Sequence, residues 1–357
     1  MTATLRDALL RSGAVLDGST GRALHFGEPA RELDAALSAC VVVDRSDLFR
    51  IAGIGPDLPD LLQRLGTGDL RGLAPGTGRP TILTSPKGRV VHRLLVHHLG
   101  DEGLLLVGGP GAAESILDHL RRYTFAERTG LCDRSGQTCQ LALVGPRAAE
   151  ALDAAEIERP GRWASVSTAR DGRTVHILGE DGLTGDGFSI VGEAAEGPAL
   201  WRSLLLGAAR AGGCAAGDWA LESWRILRGV PSPGHELTEQ VNPLEVGQHE
   251  AISFSKGCYV GQEVVARLNT YDKVSRRLVG LRLAPGSAPP APGAMVSIDE
   301  LPIGRVTSSI LPPGANAAVA LALLKRNRGA PGDPVVVTDR ESRSDAVVLS
   351  LPMERPA

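Results

Sequence analysis

The sequence predicts an α+β protein that ends in a small antiparallel β-barrel, and three observations carry that prediction. Up to about residue 272, apolar residues recur at helical and at strand spacing in turn. Within that part, a strand, a Gly-Pro and a helix occur twice. Ile51-Ala52-Gly53-Ile54-Gly55-Pro56 precedes a helix at 60–65, and Gln140-Leu141-Ala142-Leu143-Val144-Gly145-Pro146 precedes one at 148–152. The two units lie roughly ninety residues apart, a spacing suited to duplicated α+β subdomains. After Asp272 the texture changes to six short β segments, 278–283, 295–298, 303–309, 319–324, 335–338 and 346–349, separated by Pro/Gly-rich turns such as 289–293 and 331–334. Short strands at that density describe a small closed sheet. The expected domains are therefore an α+β part over 1–274, divided near 1–135 and 136–274, and a barrel over 275–357.

The elements follow in order. Residues 4–12 read as a helix, and 18–28 as a turn-rich strand region. Pro29 at a first-turn position and Leu33 and Leu37 at i,i+4 predict a helix over 29–37. Val41-Val42-Val43-Asp44 is a short buried strand, and 48–53 alternates apolar side chains as another. Residues 81–84, a turn at Pro86-Lys87-Gly88 and the run 89–97 give a strand pair, with 103–107 as the next hairpin partner. Residues 112–122 place Ile116, Leu117 and Leu120 on one side of a helix. Strands are expected at 175–178 and 187–191. Helices follow at 198–211 and 218–228, the second with Asp218 as its N-cap.

A chain of 357 residues is too long for one ordinary core. A hydrophobic fraction of 43% is that of a soluble globular protein. The net charge of −3 argues against a general nucleic-acid or anionic-membrane surface. No apolar run approaches the roughly 18 residues of a membrane span. The first residues show no basic region followed by an apolar one, so the expected compartment is the cytoplasm. The five cysteines, Cys40, Cys132, Cys139, Cys214 and Cys258, include no C-x-x-C pair, which excludes a zinc ribbon or iron–sulfur ligand set built by this chain alone.

The densest chemistry lies in Lys256-Gly257-Cys258-Tyr259-Val260-Gly261-Gln262-Glu263. Val260, Val264 and Leu268 are four apart and share a helical face, which puts Cys258 at or just before a helix N-terminus and beside Lys256. Both neighbours favour a thiolate. The same local sequence also suits a small buried residue where the helix meets the core. Gly257 and Gly261 allow a close backbone approach, either to a ligand or to another part of the protein. Lys256, Gln262 and Glu263 are candidates for a ligand's polar edge, or for a solvated helix start with Glu263 and Arg267 as an i,i+4 pair.

Asn242-Pro243 opens a turn shortly upstream. Arg225 and Arg228 lie i,i+3 on one helix face, as an anion-binding edge or as surface arginines. His97 and His98 point to opposite faces of a strand and cannot share a metal. Walker A, G-x-G-x-x-G and G-x-S-x-G patterns are absent from the sequence.

The run from Asn242-Pro243-Leu244-Glu245 through Lys256–Glu263 to Arg276-Arg277-Leu278-Val279-Gly280 resembles the YgfZ branch of the GcvT family. The resemblance extends to Pro86-Lys87-Gly88-Arg89, Val144-Gly145-Pro146 and 225–231. It implies a pseudo-duplicated α+β ring around a folate pocket, capped by the barrel. It also implies a monomeric tetrahydrofolate-binding protein that supports iron–sulfur cluster assembly or repair, with iron–sulfur proteins or their assembly machinery as partners. Cys258 is then the key residue and Lys256, Tyr259, Gln262, Glu263, Arg225 and Asn242 are folate contacts, with no metal ligands. The alternative is a folate-dependent aminomethyltransferase or other one-carbon transferase of the same family. That sister branch carries an Asp-Asp pair where His92 and Arg93 stand here, and a pterin-recognising Glu where Ser189 stands, and it lacks the cysteine. Leu227 likewise replaces a carboxylate common in the YgfZ branch. The resemblance thus sets an intact Lys256–Glu263 motif against missing acidic positions, which speaks against aminomethyl transfer.

Overall fold

The computed structural model describes residues 4–356 except 112, 171, 181–186 and 341. Helix α1 (Leu5–Arg11) starts in a capping box, in which the Thr4 hydroxyl accepts from Asp7 N and the Asp7 carboxylate accepts from Thr4 N. The strands β1 (Val15–Leu16) and β2 (Ala23–His25) pair, then α2 (Pro29–Ser38), β3 (Val41–Asp44), β4 (Leu48–Ile54), α3 (Leu58–Leu65), β5 (Gly78–Thr84), β6 (Val90–His98), β7 (Leu104–Pro110), α4 (Ala113–Arg121) and β8 (Gly130–Asp133) follow. The second unit runs through β9 (Thr138–Val144), α5 (Ala148–Ala154), β10 (Ser165–Arg170), β11 (Arg173–Glu180), β12 (Gly187–Glu193), α6 (Gly197–Arg210), β13 (Cys214–Ala215) and α7 (Asp218–Arg228). After α8 (Gln262–Thr270) come β14 (Arg276–Leu283), β15 (Met295–Ile298), β16 (Leu301–Ile310), β17 (Val319–Lys325), β18 (Pro334–Asp339) and β19 (Ser342–Leu349), which close into an antiparallel barrel in the order β14-β17-β16-β15-β18-β19.

Beside the β1–β2 pair, the α+β part holds two larger sheets, β5-β6-β7-β4-β8 and β10-β11-β12-β9-β3-β13. Their likeness is visible at the two Gly-Pro turns. Gly55 (φ +110) and Gly145 (φ +123) each turn a strand into a helix where a side chain would strike a passing carbonyl, Arg128 O in one case and Ala39 O in the other. The sheets do not divide the chain at residue 135, however. The β-branched run Val41-Val42-Val43 joins the second sheet, antiparallel to β9 and parallel to β13. Residues 241–256 return to the first, where Val241 O accepts from Val90 N and Thr67 O from Ser253 N. Four strands, β1, β8, β10 and β13, were not expected from the sequence, being short or poor in apolar alternation. Asp218 is the first residue of α7 and not its cap, because its carboxylate is turned to Arg22. The expected helix start at Ala112 lies outside the described residues.

Alternation along β9 explains the layers. Leu141 and Leu143 face α1, α5 and α6, while Ala142 and Val144 face α2 and α7. The first sheet packs one face on α3 and α4. From its other face Leu105 and Val107 meet Leu178 and Val191 of the second sheet, so the sheets oppose each other across an apolar seam. The barrel's outer face is fastened to both units, Val319 and Leu321 against Trp224 and Leu227, and Leu323 against Val241 and Val246. Among the described residues, no helix is long and apolar enough to cross a membrane.

Candidate functional site

Helix α3 ends at Leu65, and the chain that follows leaves the carbonyls of Gln63, Gly66 and Gly68 pointing together. The Lys256 ammonium fills that convergence, donating to them at 2.7, 2.6 and 2.7 Å. A cation is well placed there, because a helix C-terminus carries unsatisfied carbonyls and partial negative charge. Burial pulls the Lys256 pKa down to about 8, with Asp69 opposing, so the group is an ammonium at neutral pH. All three of its N–H groups are used, and none remains for a ligand edge. Tyr259 is buried with its ring centroid 5.2 Å from the same nitrogen, and burial pushes its phenol up to about 12.

Gly261 makes the close approach the sequence called for, and the approach is to the protein's own hairpin. Its φ is +80, and a Cβ would lie 2.5 Å from Ser85 O and 3.0 Å from Gly88 Cα. Val260 N donates to Arg64 O at 3.1 Å, and Val260 O accepts from the Thr84 hydroxyl. The backbone of 259–261 is thereby seated between α3 and the β5–β6 turn. Helix α8 begins only at Gln262, so Cys258 lies three residues before the Gly261 cap rather than at the helix start. The expected face of Val260, Val264 and Leu268 is replaced by one centred on Val265, because 259 and 260 dip into the core before the helix forms. Cys258 is left exposed, and so is Glu263, while Gln262 is half-buried.

Asn242 and Arg225 stand at the junction of ring and barrel. Asn242 is buried, donates Nδ2 to Gly88 O at 2.7 Å and accepts from Leu244 N at 3.0 Å. Glu245 completes the capping box through Asn242 N at 2.9 Å and grips Arg276 of β14 through both oxygens at 2.8 Å. Arg225 is buried against Glu236, itself 0% exposed, at 3.0 Å, and donates to Val230 O at 2.8 Å and to the Ser308 hydroxyl of the barrel at 2.8 Å. Glu222 takes its remaining edge, with Nε at 2.8 Å. The structure therefore spends Asn242 and Arg225, both expected to contact ligand, on fastening the three parts together.

The remaining named positions lie on the sheets. His92 is half-buried, edge-on to His119, and burial with that neighbour lowers its pKa to about 4, so it is a neutral imidazole at pH 7. Arg93 donates Nε to Gln248 at 2.7 Å. Ser189 is fully buried, and its hydroxyl accepts from Gln140 Nε2 at 2.9 Å. Leu227 is packed between α7 and the barrel. None of these four places offers a pterin's amino edge the carboxylate it would pair with, so they do not fit that group in the manner the resemblance implies.

Sequence reasoning missed a polar cluster at the seam of the two sheets. Here Ser165 N donates to Gly76 O at 2.8 Å, and Thr77 bridges Ala164. His97 lies beneath, fully buried, with neither ring nitrogen hydrogen-bonded, and Trp163 Nε1 is likewise buried without a partner. His176 spans the seam to Glu102 at 3.3 Å and bonds Ser167 at 2.9 Å. The sequence signal was a histidine two residues beyond Leu95 and four beyond Arg93 on the same strand face.

Two opposed sheets closed by a six-stranded barrel define the architecture of the glycine-cleavage T-proteins. Residues 17–256 match the model of the GCVT N-terminal domain, and 276–353 that of the glycine cleavage T-protein C-terminal barrel domain. The chain belongs to the GcvT family. It is 33% identical over 322 residues to an aminomethyltransferase of Moorella thermoacetica, covering 87% of this chain and 86% of the relative. It is 31% identical over 338 residues to a chloroplastic protein of Arabidopsis thaliana named as a transferase, covering 93% and 76%. The crystal structure of aminomethyltransferase T from Bartonella henselae superposes with a TM-score of 0.82 over 99% of this chain and 98% of that one, at 24% identity, and so shares the fold.

Proposed function

We propose that the protein is a folate-dependent transferase of the aminomethyltransferase kind, whose one-carbon chemistry does not run through a carboxylate at position 92, 93 or 189. The observation that carries this is the continuous match to relatives named aminomethyltransferase across both ring and barrel. His92, Arg93 and Ser189 alter the usual acid–base provision, and His92, neutral at pH 7, is the titratable group left at the first of these places. Folate recognition then relies on neutral groups and should be weaker than a carboxylate would make it.

A second reading is favoured by one observation. Cys258 is exposed on a segment held from behind by Lys256 and Thr84, as a presented thiol would be. That supports a YgfZ-like cytoplasmic role in iron–sulfur protein maturation. One pair of measurements separates the two. Calorimetry with 5-formyltetrahydrofolate tests the shared ligand, and no heat at millimolar ligand removes folate from both readings. Turnover of aminomethyl-lipoyl protein with tetrahydrofolate supports the transferase. Binding without turnover, together with loss of rescue by Cys258→Ala in a strain lacking its own YgfZ-like protein, supports the maturation role instead.

A further inference from the structure

A cleft of about 610 Å³ opens where the loop 234–241 of the ring meets β14, β16 and β17 of the barrel. None of the residues that the family resemblance connects with folate lines it. Its walls are apolar at Val241, Leu323 and Ile303, and its rim carries Arg276, Arg305 and Lys325. That mixture, an apolar floor with a few convergent polar groups, is typical of small-molecule sites of this size.

The three cations differ in how far they are compensated. Arg276 is neutralised by Glu245, to which it gives two hydrogen bonds of 2.8 Å. Arg305 and Lys325 are exposed and have no carboxylate partner among the described residues. Arg305 spends one N–H on Gly293 O at 2.9 Å, and Lys325 one on Pro302 O at 3.1 Å. The rest of the guanidinium edge and two hydrogens of the ammonium face the cleft mouth or water. Lys325 is also directly opposite Arg276 across the antiparallel pair β14–β17. Like charges placed so are unfavourable, and Glu245 offsets only Arg276, leaving Lys325 uncompensated. The carboxylate behind the wall, Glu236, cannot serve, because Arg225, Ser232 N, Thr307 and Ser308 already occupy it.

We propose that this cleft binds a small organic anion, with a phosphate or carboxylate on Lys325 and Arg305 and an apolar body against Leu323, Val241 and Ile303. Phenyl phosphate is the probe, with inorganic phosphate and phenol as its two halves. Calorimetry on the full chain at low salt should show phenyl phosphate binding at least about tenfold tighter than either half, as charge-assisted and apolar contacts combine. Arg305→Met with Lys325→Met should weaken it by about tenfold or more, and raising the salt should weaken it in the wild type, a check that needs no variant. Binding that survives the double substitution, binding indifferent to salt, or no binding at millimolar probe would overturn the proposal. Displacement of the probe by 5-formyltetrahydrofolate would merge the cleft with the folate site and overturn it as a separate one.

Discussion

The Lys256 ammonium lies 2.6 Å from the carbonyl of Gly66, a contact 190 residues apart in the chain that ties the segment before α8 to the end of α3. Replacing Lys256 by Met keeps the stem and removes the donors, leaving three buried carbonyls unpaired. The expected loss is about 2–4 kcal/mol, read as a lower denaturant midpoint. An unchanged midpoint would show that the clamp carries no stability.

Arg225 and Glu236 form a buried pair at 3.0 Å that also engages Ser308 of the barrel. Arg225→Met leaves the buried Glu236 carboxyl without its cationic partner, at a cost of about 3–5 kcal/mol. Limited proteolysis should then cut between ring and barrel, near 229–241, before the ring itself is degraded. Cleavage at the wild-type rate would contradict this role.

Gly261→Ala places a methyl group 2.5 Å from Ser85 O at a φ of +80. Strain of about 1–3 kcal/mol is expected, and thermal unfolding measures it. The corresponding change at Gly257, where the nearest atom to a Cβ is Arg71 Nη2 at 3.9 Å, should cost under about 1 kcal/mol. Equal costs at the two glycines would remove the distinction.

Burial lowers the His97 pKa from 6.5 to about 3, with His176 adding to the effect. At neutral pH the ring is uncharged in both states. As pH falls below about 6.5 the unfolded chain takes up the proton and the folded one does not, so stability declines with acid until the folded pKa is reached. His92, His119 and His176, also shifted down, act in the same direction. His97→Leu should therefore flatten the fall of melting temperature between pH 6.5 and about 4 by up to several kcal/mol equivalent. A variant with the wild-type slope would place the acid sensitivity elsewhere.

Cys258 and Cys132 are exposed, Cys214 is intermediate, and Cys40 and Cys139 are buried. Iodoacetamide under native conditions should modify Cys258 and Cys132 first, as mass spectrometry would show. Cys258→Ala should change stability by no more than about 0.5 kcal/mol. A larger loss would make Cys258 a packing residue.

Barrel, echo and most helices were legible because they rest on local signals. Met295–Ile298 and Val41–Asp44 appear as the sequence outlines them. The Gly-Pro units recur because both glycines adopt positive φ, a constraint written into residue type. The subdomain boundary was not legible, since nothing in Val41-Val42-Val43 says which sheet will receive a strand apolar on both faces.

At the site the division is sharper. The sequence by itself determined the family and the barrel, because side-chain type, spacing and turn residues carry those facts locally, and it marked Lys256–Glu263 as its densest run of polar and reactive side chains. It could not decide which polar groups of that segment are free. That depends on what long-range packing brings within hydrogen-bond reach. Burial forces Lys256 onto the carbonyls of α3, Asn242 onto Gly88 and Arg225 onto Glu236, because an unpaired polar group is costly away from water. The same packing leaves Cys258 at the surface and Arg305 and Lys325 without an acidic partner at the mouth of the ring–barrel cleft.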